Sequence, residues 1–294
     1  MATIIDGKAI AARIREELKV EVEAIKAQGA APGLAVVLVG EDPASQVYVR
    51  NKQKACEEIG MVSFGHFLPA ETSEPELLAL VDTLNADPRV HGILVQLPLP
   101  KHIAEKNIVN AISPAKDVDG LHPANVGKLL IGEDTLVSCT PQGCQELLVR
   151  SGYDPSGKHV VIVGRSNLVG KPLAAILMQK ARGANATVTV CHSGTKDIPL
   201  HTLQADILLT AMGNPGFIKA DMVREGVVVI DVGTTRVEDA TKKSGYRLAG
   251  DVEFDGVAAK AAAITPVPGG VGPMTITMLL KNTLKAYRAL TRVS

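Results

Sequence analysis

Apolar positions recur along this chain in two distinct periods. Over residues 8–28, Ile10, Ile14, Leu18, Val22 and Ile25 return every three or four positions, which predicts one buried helical face, and Gly29 closes the run. Residues 34–39 are continuously apolar and rich in valine, a short run that reads as a buried strand. Asp42-Pro43 then predicts a helix start, with Asp42 as N-cap and Pro43 at the first helical position, and the helix runs to near Gly60. Val62–Leu68 and residues 92–97 read as two more strands around a helix over 74–85. A second set follows: His159–Val163, Thr187–Cys191, Ile207–Thr210 and residues 227–231 as strands, with a helix over 173–179 after the first. Apolar strands alternating with helices predict parallel sheets with helical crossovers, an α/β fold.

The two sets are separated by a Pro- and Gly-bearing stretch, residues 97–141, that reads as irregular. This predicts two α/β domains, over 1–139 and 140–274, with a last helix over 275–294 that packs back on the first. At 294 residues the chain is long enough for two cores.

Composition narrows the partners. The 31 basic and 31 acidic side chains cancel, so nothing suggests a footprint for nucleic acid or an anionic membrane. With no Trp and four each of Phe and Tyr, the core must be aliphatic, and stacking on bases is not expected. Cys56, Cys139, Cys144 and Cys191 show no C-x-x-C spacing and the histidines no H-x-x-x-H pair. No metal site is therefore expected, and reduced thiols in the cytoplasm are the default. No secretory leader is visible at the start, and no apolar run approaches the roughly 20 residues that span a bilayer.

Candidate chemistry clusters in five places. On the helix opened by Asp42, Ser45, Tyr48 and Lys52 share one face at the carboxyl end of a strand, where open α/β sheets bind ligands. A solvated amphipathic helix would show the same face. Lys54 falls about 200° around and points elsewhere. Gln96-Leu97-Pro98-Leu99-Pro100 ends a strand, since proline has no N–H for a ladder, and holds the Gln96 amide in a rigid corner. Lys116-Asp117-Val118-Asp119-Gly120 sets two carboxylates two apart, a pattern also common in surface loops.

Strand His159–Val163 runs into Gly164-Arg165-Ser166-Asn167-Leu168-Val169-Gly170 and then a helix. A strand, glycine turn and helix N-terminus make a phosphate site, because free N–H groups and the helix dipole face the anion. The glycines depart from G-x-G-x-x-G, and a plain βα turn would serve as well. The next strand tip, Val190-Cys191-His192-Ser193-Gly194-Thr195-Lys196, carries no acid before Asp197, whereas NAD sites usually place one there for the ribose 2′-OH. Ser193 and Arg165 suit a 2′-phosphate instead, which favours NADP. Last, residues 265–275 hold three prolines and three glycines, a loop of defined shape that a ligand approaches closely and that opens into a helix at Pro273.

Tyr48-Val49-x-x-Lys52, Gln96–Pro100, Lys116–Gly120, Gly164-Arg165-Ser166 and Pro268-Gly269-Gly270-Val271-Gly272-Pro273-Met274-Thr275 occur together and in order. The chain closely resembles the bifunctional methylenetetrahydrofolate dehydrogenase/methenyltetrahydrofolate cyclohydrolase family, from about Ile4 to Tyr287. The resemblance implies an N-terminal α/β domain and a Rossmann-like NADP-binding domain with a ligand cleft between them, usually a homodimer. It implies oxidation of 5,10-methylenetetrahydrofolate with NADP, then hydrolysis of the methenyl product to 10-formyltetrahydrofolate. By motif, Lys52 resembles the family's catalytic lysine, Tyr48 the tyrosine that bonds to it and packs beside folate, and Gln96 the glutamine that orients it. Asp119 resembles the acid that grips the pterin, and Pro268, Gly269, Gly270 and Gly272 line the folate side. Gly164, Arg165, Ser166, Gly170 and Ser193 form the cofactor set, and Asp117 shapes its loop. The alternatives are a shikimate dehydrogenase-like enzyme, a monofunctional dehydrogenase of the same family, and a non-catalytic nucleotide sensor.

Overall fold

In a computed structural model, residues 2–242 and 245–291 are described; the last three positions of the helix expected over 275–294 lie outside them. The chain begins with β1 (Thr3–Ile4) and α1 (Gly7–Lys26), then β2 (Gly33–Val39), α2 (Pro43–Glu58), β3 (Val62–Leu68), α3 (Glu74–Ala86) and β4 (Gly92–Val95). Three helices follow, α4 (Glu105–Ala111), α5 (Pro123–Ile131) and α6 (Cys139–Arg150). The remainder runs β5 (His159–Val163), α7 (Gly170–Leu177), β6 (Thr187–Cys191), α8 (Ile198–Thr202), β7 (Ile207–Thr210), β8 (Val228–Asp231), β9 (Thr235–Glu238), β10 (Tyr246–Ala249), α9 (Phe254–Lys260), β11 (Ala263–Ile264) and α10 (Val271–Thr291). Contacts divide it into two units, Arg13–Cys139 with Ile276–Ser294, and Met1–Ala12 with Thr140–Thr275.

The first unit holds a parallel sheet in the order β3-β2-β4. All seven residues of the central β2 are buried, which is why it shows as an unbroken apolar run with no alternation. Its Ala35, Val37 and Val39 pack with Leu77, Val81 and Leu84 of α3 and with Ile93 of β4. A capping box between Ser73 and Glu76 starts α3.

The stretch 97–141, expected to be irregular, contains α4, α5 and the start of α6. One proline and one glycine of the stretch mark the ends of a helix. Pro123 opens α5 behind an N-cap at His122, and Gly132 closes it with φ 81°, a left-handed C-cap.

The second unit is a six-stranded parallel sheet, β1-β11-β8-β7-β5-β6. The division falls between Cys139 and Thr140, where it was expected, but the start of the chain changes sides. Thr3 pairs with Ala263 and Ile4 with Ile264, so the first twelve residues join the later unit through an edge strand only two residues long. From Ile276 onward α10 belongs to the first unit, as expected for the last helix. That helix starts at Val271, ahead of the expected Pro273. Proline is tolerated there because first-turn N–H groups have no intrahelical partner. The antiparallel pair β9–β10 went unread in the sequence, since its four-residue strands are largely polar and half-exposed.

Candidate active site

Asp42 caps α2 as its sequence demands, its Oδ2 accepting from the Ser45 amide at 2.7 Å. Of the three residues on the expected face, Ser45 is buried, Tyr48 is 53 % exposed, and Lys52 is partly buried. Lys54 points elsewhere and pairs with Glu58 at 3.8 Å in solvent. The Lys52 Nζ donates to Gln96 Oε1 at 2.9 Å. Gln96 extends the sheet by donating its backbone N–H to Val37 O at 2.8 Å, and its Nε2 donates to Leu97 O at 2.7 Å. Leu97–Pro98 is cis. The Tyr48 hydroxyl forms no hydrogen bond to Lys52 among the described residues, so the expected lysine partner here is Gln96 alone.

Burial lowers the Lys52 pKa below the ordinary lysine value, against the opposing pull of Asp119 and Cys139. The Asp119 carboxyl is pushed up, first by burial and further by Asp117, while Lys52 draws it down. Lys52, Asp119 and Cys139 thus form one electrostatic group, although they lie on three different segments.

The loop bearing Asp119 is held from several sides. Asp117 accepts from the His122 amide at 2.8 Å and from Asn125 Nδ2 at 2.9 Å, so it shapes the loop. Lys116 is buried and donates its ammonium to Leu84 O and Asp87 O. Gly120, at φ 67°, lies so close to the Val137–Ser138 backbone that a Cβ would stand 2.4 Å from the Ser138 nitrogen. Asn282 of α10 donates to Val118 O and Val137 O, both at 2.8 Å. The Cys139 thiol donates to Val118 O at 3.4 Å, and burial holds it well above its usual pKa. Sequence reasoning missed Cys139 and Asn282 as parts of this site. Neither has a local signal, and Asn282 meets Cys139 across 143 positions.

In the second unit, the ends of β5, β6 and β7 open on a cavity of about 700 Å³. Gly164, Arg165, Ser166 and Ser193 all line it, as do Thr195, Lys196, Met212 and Asn214, which the sequence reading did not single out. Gly164 has φ 138°, and a Cβ there would stand 2.4 Å from Ala211 O, so the turn is built for bare backbone. Gly170 does not line the cavity; it starts α7 where a Cβ would meet Gly164 O at 2.1 Å. Ser166 Oγ accepts from the Val169 amide at 3.1 Å and keeps its own proton for a ligand.

No carboxylate lines this cavity among the described residues, while Arg165 and Lys196 supply two cations. Asp197 is turned to helix capping, accepting from the Leu200 amide at 3.2 Å. Two cations, three hydroxyls and a glycine turn fit a dinucleotide bearing an extra phosphate.

Pro268, Gly269, Gly270 and Gly272 lie in this same unit, in the loop before α10. Gly269 has φ 110°, and its carbonyl accepts from the Lys8 amide at 3.2 Å. Gly7 lies so close to Gly270 O that a Cβ would stand 1.8 Å away. Gly272 has open space around it. No group of three His, Cys, Asp or Glu with metal-holding geometry occurs among the described residues. No helix there is long and apolar enough to cross a membrane.

A parallel-sheet unit with a cation-lined cavity at its strand ends, in one chain with an α/β unit that buries a lysine against an amide, defines a two-domain dinucleotide-dependent enzyme. The chain belongs to the tetrahydrofolate dehydrogenase/cyclohydrolase family: residues 5–119 match its catalytic domain and residues 138–291 its NAD(P)-binding domain. It is 61% identical over 288 residues to the "Bifunctional protein FolD" of Dehalococcoides mccartyi, covering 98% of this chain and 97% of that protein. Among solved structures, the bifunctional FolD dehydrogenase/cyclohydrolase of Campylobacter jejuni superposes with a TM-score of 0.93 at 50% identity, covering 98% of this chain and 99% of that one. The FolD of Trypanosoma brucei, complexed with NADP cofactor and inhibitor, gives a TM-score of 0.93 at 44% identity over 99% of each chain.

Proposed function

We propose that this chain is a bifunctional enzyme that oxidises 5,10-methylenetetrahydrofolate to the methenyl compound with NADP and then hydrolyses that cation to 10-formyltetrahydrofolate. The observation that carries the reading is the Lys52–Gln96 contact beside Asp119, in a chain that also holds a cation-lined dinucleotide cavity. NADP, when bound, accepts the hydride. Arg165, Ser193 and Ser166, with Lys196, would hold its 2′-phosphate, and the bare backbone of the Gly164 turn would leave room for its other phosphates.

The first reaction asks the protein chiefly for positioning, because the folate nitrogen's lone pair stabilises the carbon that loses hydride. Asp119 suits the pterin, since one carboxylate accepts two parallel N–H donors. The family resemblance assigns Pro268, Gly269, Gly270 and Gly272 to folate as well, and the exposed ring of Tyr48 offers it a packing surface.

The second reaction needs a proton acceptor. Water adds to the methenyl carbon, and its proton passes to the neutral Lys52 amine. The bond from that carbon to the ring nitrogen N5 then breaks as Lys52 returns a proton to N5; the remaining hydroxyl proton leaves to solvent, its oxygen becomes the formyl carbonyl, and the formyl group stays on N10. Burial lowers the Lys52 pKa and so enlarges the neutral fraction that can take this proton, and Gln96 Oε1 fixes the direction of the amine. The buried, free cysteines support a reducing, cytoplasmic setting. The homodimer rests on the family resemblance and is checked by sedimentation equilibrium.

Purified protein is given 5,10-methylenetetrahydrofolate with NADP or NAD while reduced cofactor is followed, and the loss of added methenyltetrahydrofolate is followed separately. Reduction with NADP together with accelerated methenyl loss is expected. Reduction alone would make the chain a monofunctional dehydrogenase, and neither signal would remove the folate assignment.

A further inference from the structure

Two buried carboxylates take no part in the chemistry above. Asp231 ends β8 and Asp251 lies just beyond β10; they are 4 % and 0 % exposed. Among the described residues neither pairs with a cation, and every donor they receive is neutral. Asp231 accepts from Thr210 Oγ1 at 3.1 Å and from the amides of Gly233, Asp251 and Val252 at 2.9, 3.0 and 3.0 Å. Asp251 accepts from the Met212 amide at 2.6 Å and the Asn214 amide at 2.8 Å.

The surrounding backbone is cut to fit them. A Cβ on Gly250 would stand 1.9 Å from Asp231 Oδ2, and one on Gly233 would stand 2.5 Å from the Asp251 Cγ. Burying two carboxylates without a counter-ion is costly, and backbone pairing alone would tie these segments together. The arrangement has a direction: β8 holds Asp231, Asp231 holds the Asp251–Val252 backbone, and Asp251 holds Met212 and Asn214. Those last two line the cofactor cavity. Between them Gly213 has φ 69°, so the two amides converge on one carboxylate as the turn reverses.

We infer that Asp251 is a positioning residue for the cofactor: its carboxylate sets the Met212–Asn214 turn that walls the dinucleotide cavity, and Asp231 sets Asp251. This rests on the reading of that cavity as the NADP site. Hydrolysis of the methenyl compound needs no dinucleotide, so the second activity of the same molecule reports on everything but this wall.

Full-length Asp251→Asn keeps the shape but turns an NH₂ toward one of the two amides. Its Kd for NADP by calorimetry and its KM for NADP should rise about tenfold, the loss of roughly one charge-assisted hydrogen bond, while cyclohydrolase kcat is retained. An unchanged Kd, or a Kd that weakens only in step with cyclohydrolase kcat and thermal midpoint, would overturn the inference. Arg165→Ala separates the two levels. If it leaves NADP binding untouched, the cavity is not the NADP site; if it weakens binding while Asp251→Asn does not, only the role of Asp251 fails. Should Asp251→Asn not fold, Gly213→Ala strains the same turn from a side with open space around it. An unchanged NADP Kd in that variant would equally overturn the inference.

Discussion

The Lys52 ammonium and the Gln96 side-chain oxygen stand 2.9 Å apart, and the orientation of that amide is fixed from behind, where its Nε2 donates to Leu97 O at 2.7 Å. An amide in this place orients the amine without adding a charge that would hold its proton. Gln96→Glu should therefore raise the Lys52 pKa, as an opposite charge at contact does. Cyclohydrolase activity should fall at neutral pH and recover on the alkaline side, whereas in the wild type it rises with pH along a limb placed below the ordinary lysine value by burial. Matching pH profiles for the two proteins would remove Gln96 from the control of that proton.

Lys52→Met keeps the length of the side chain and removes the amine. Cyclohydrolase kcat should drop by about 10²–10⁴-fold, the usual worth of a positioned general base. Calorimetric binding of NADP, whose site is built from other residues, should be unchanged. Retention of wild-type hydrolysis would show that another group takes the proton from water.

Arg165→Ala removes one cation from the dinucleotide cavity. The KM for NADP should rise about 10–100-fold, as expected for a hydrogen bond to a charged group, and the KM for NAD should change little. Steady-state kinetics with both cofactors decides it, and equal effects on the two would take Arg165 off the 2′-phosphate.

Stability should carry a pH signature from Asp231, whose pKa is pushed up to about 6 from 3.8, chiefly by burial. A carboxyl raised in the folded state adds stability that is fully present below its unfolded value and lost as pH climbs through the folded one. A shift of this size corresponds to something on the order of 3 kcal/mol lost between about pH 4 and pH 6. Thermal midpoints of wild type and Asp231→Asn, measured from pH 4 to 8, should diverge in slope over that window. Parallel curves would assign the pH dependence to other groups.

The strands that organise both sheets were legible because they are buried on both faces. The runs over 34–39 and His159–Val163 could be nothing else. The first contacts around Lys52 were legible in part: α2 and its Asp42 cap follow from local rules, but no spacing rule pairs Lys52 with a residue 44 positions away. That pairing was expected only through the family resemblance. Residues that work by reaching across the fold left no trace. Asn282 is one more polar residue in an amphipathic helix, and Asp251 one more acid in a loop. Their significance lies in the carbonyls and amides they meet. Helix α5 was hidden for a different reason, since Pro123 and Gly132 at its ends made the stretch read as irregular, and α4 is only seven residues long.

The pairing of β1 with β11 matters beyond the drawing of a boundary. Thr3 leaves the ribosome well ahead of its partner Ala263, which follows on the order of tens of seconds later at ordinary rates of synthesis. Arg13–Cys139 likewise waits for Ile276 and beyond before its own packing is complete. Neither unit is a contiguous piece of the gene, so cutting between them at 139/140 yields two fragments that each lack a part held by the other. The unit that carries Lys52 and the unit that carries the dinucleotide cavity are thereby bound to be made and inherited together.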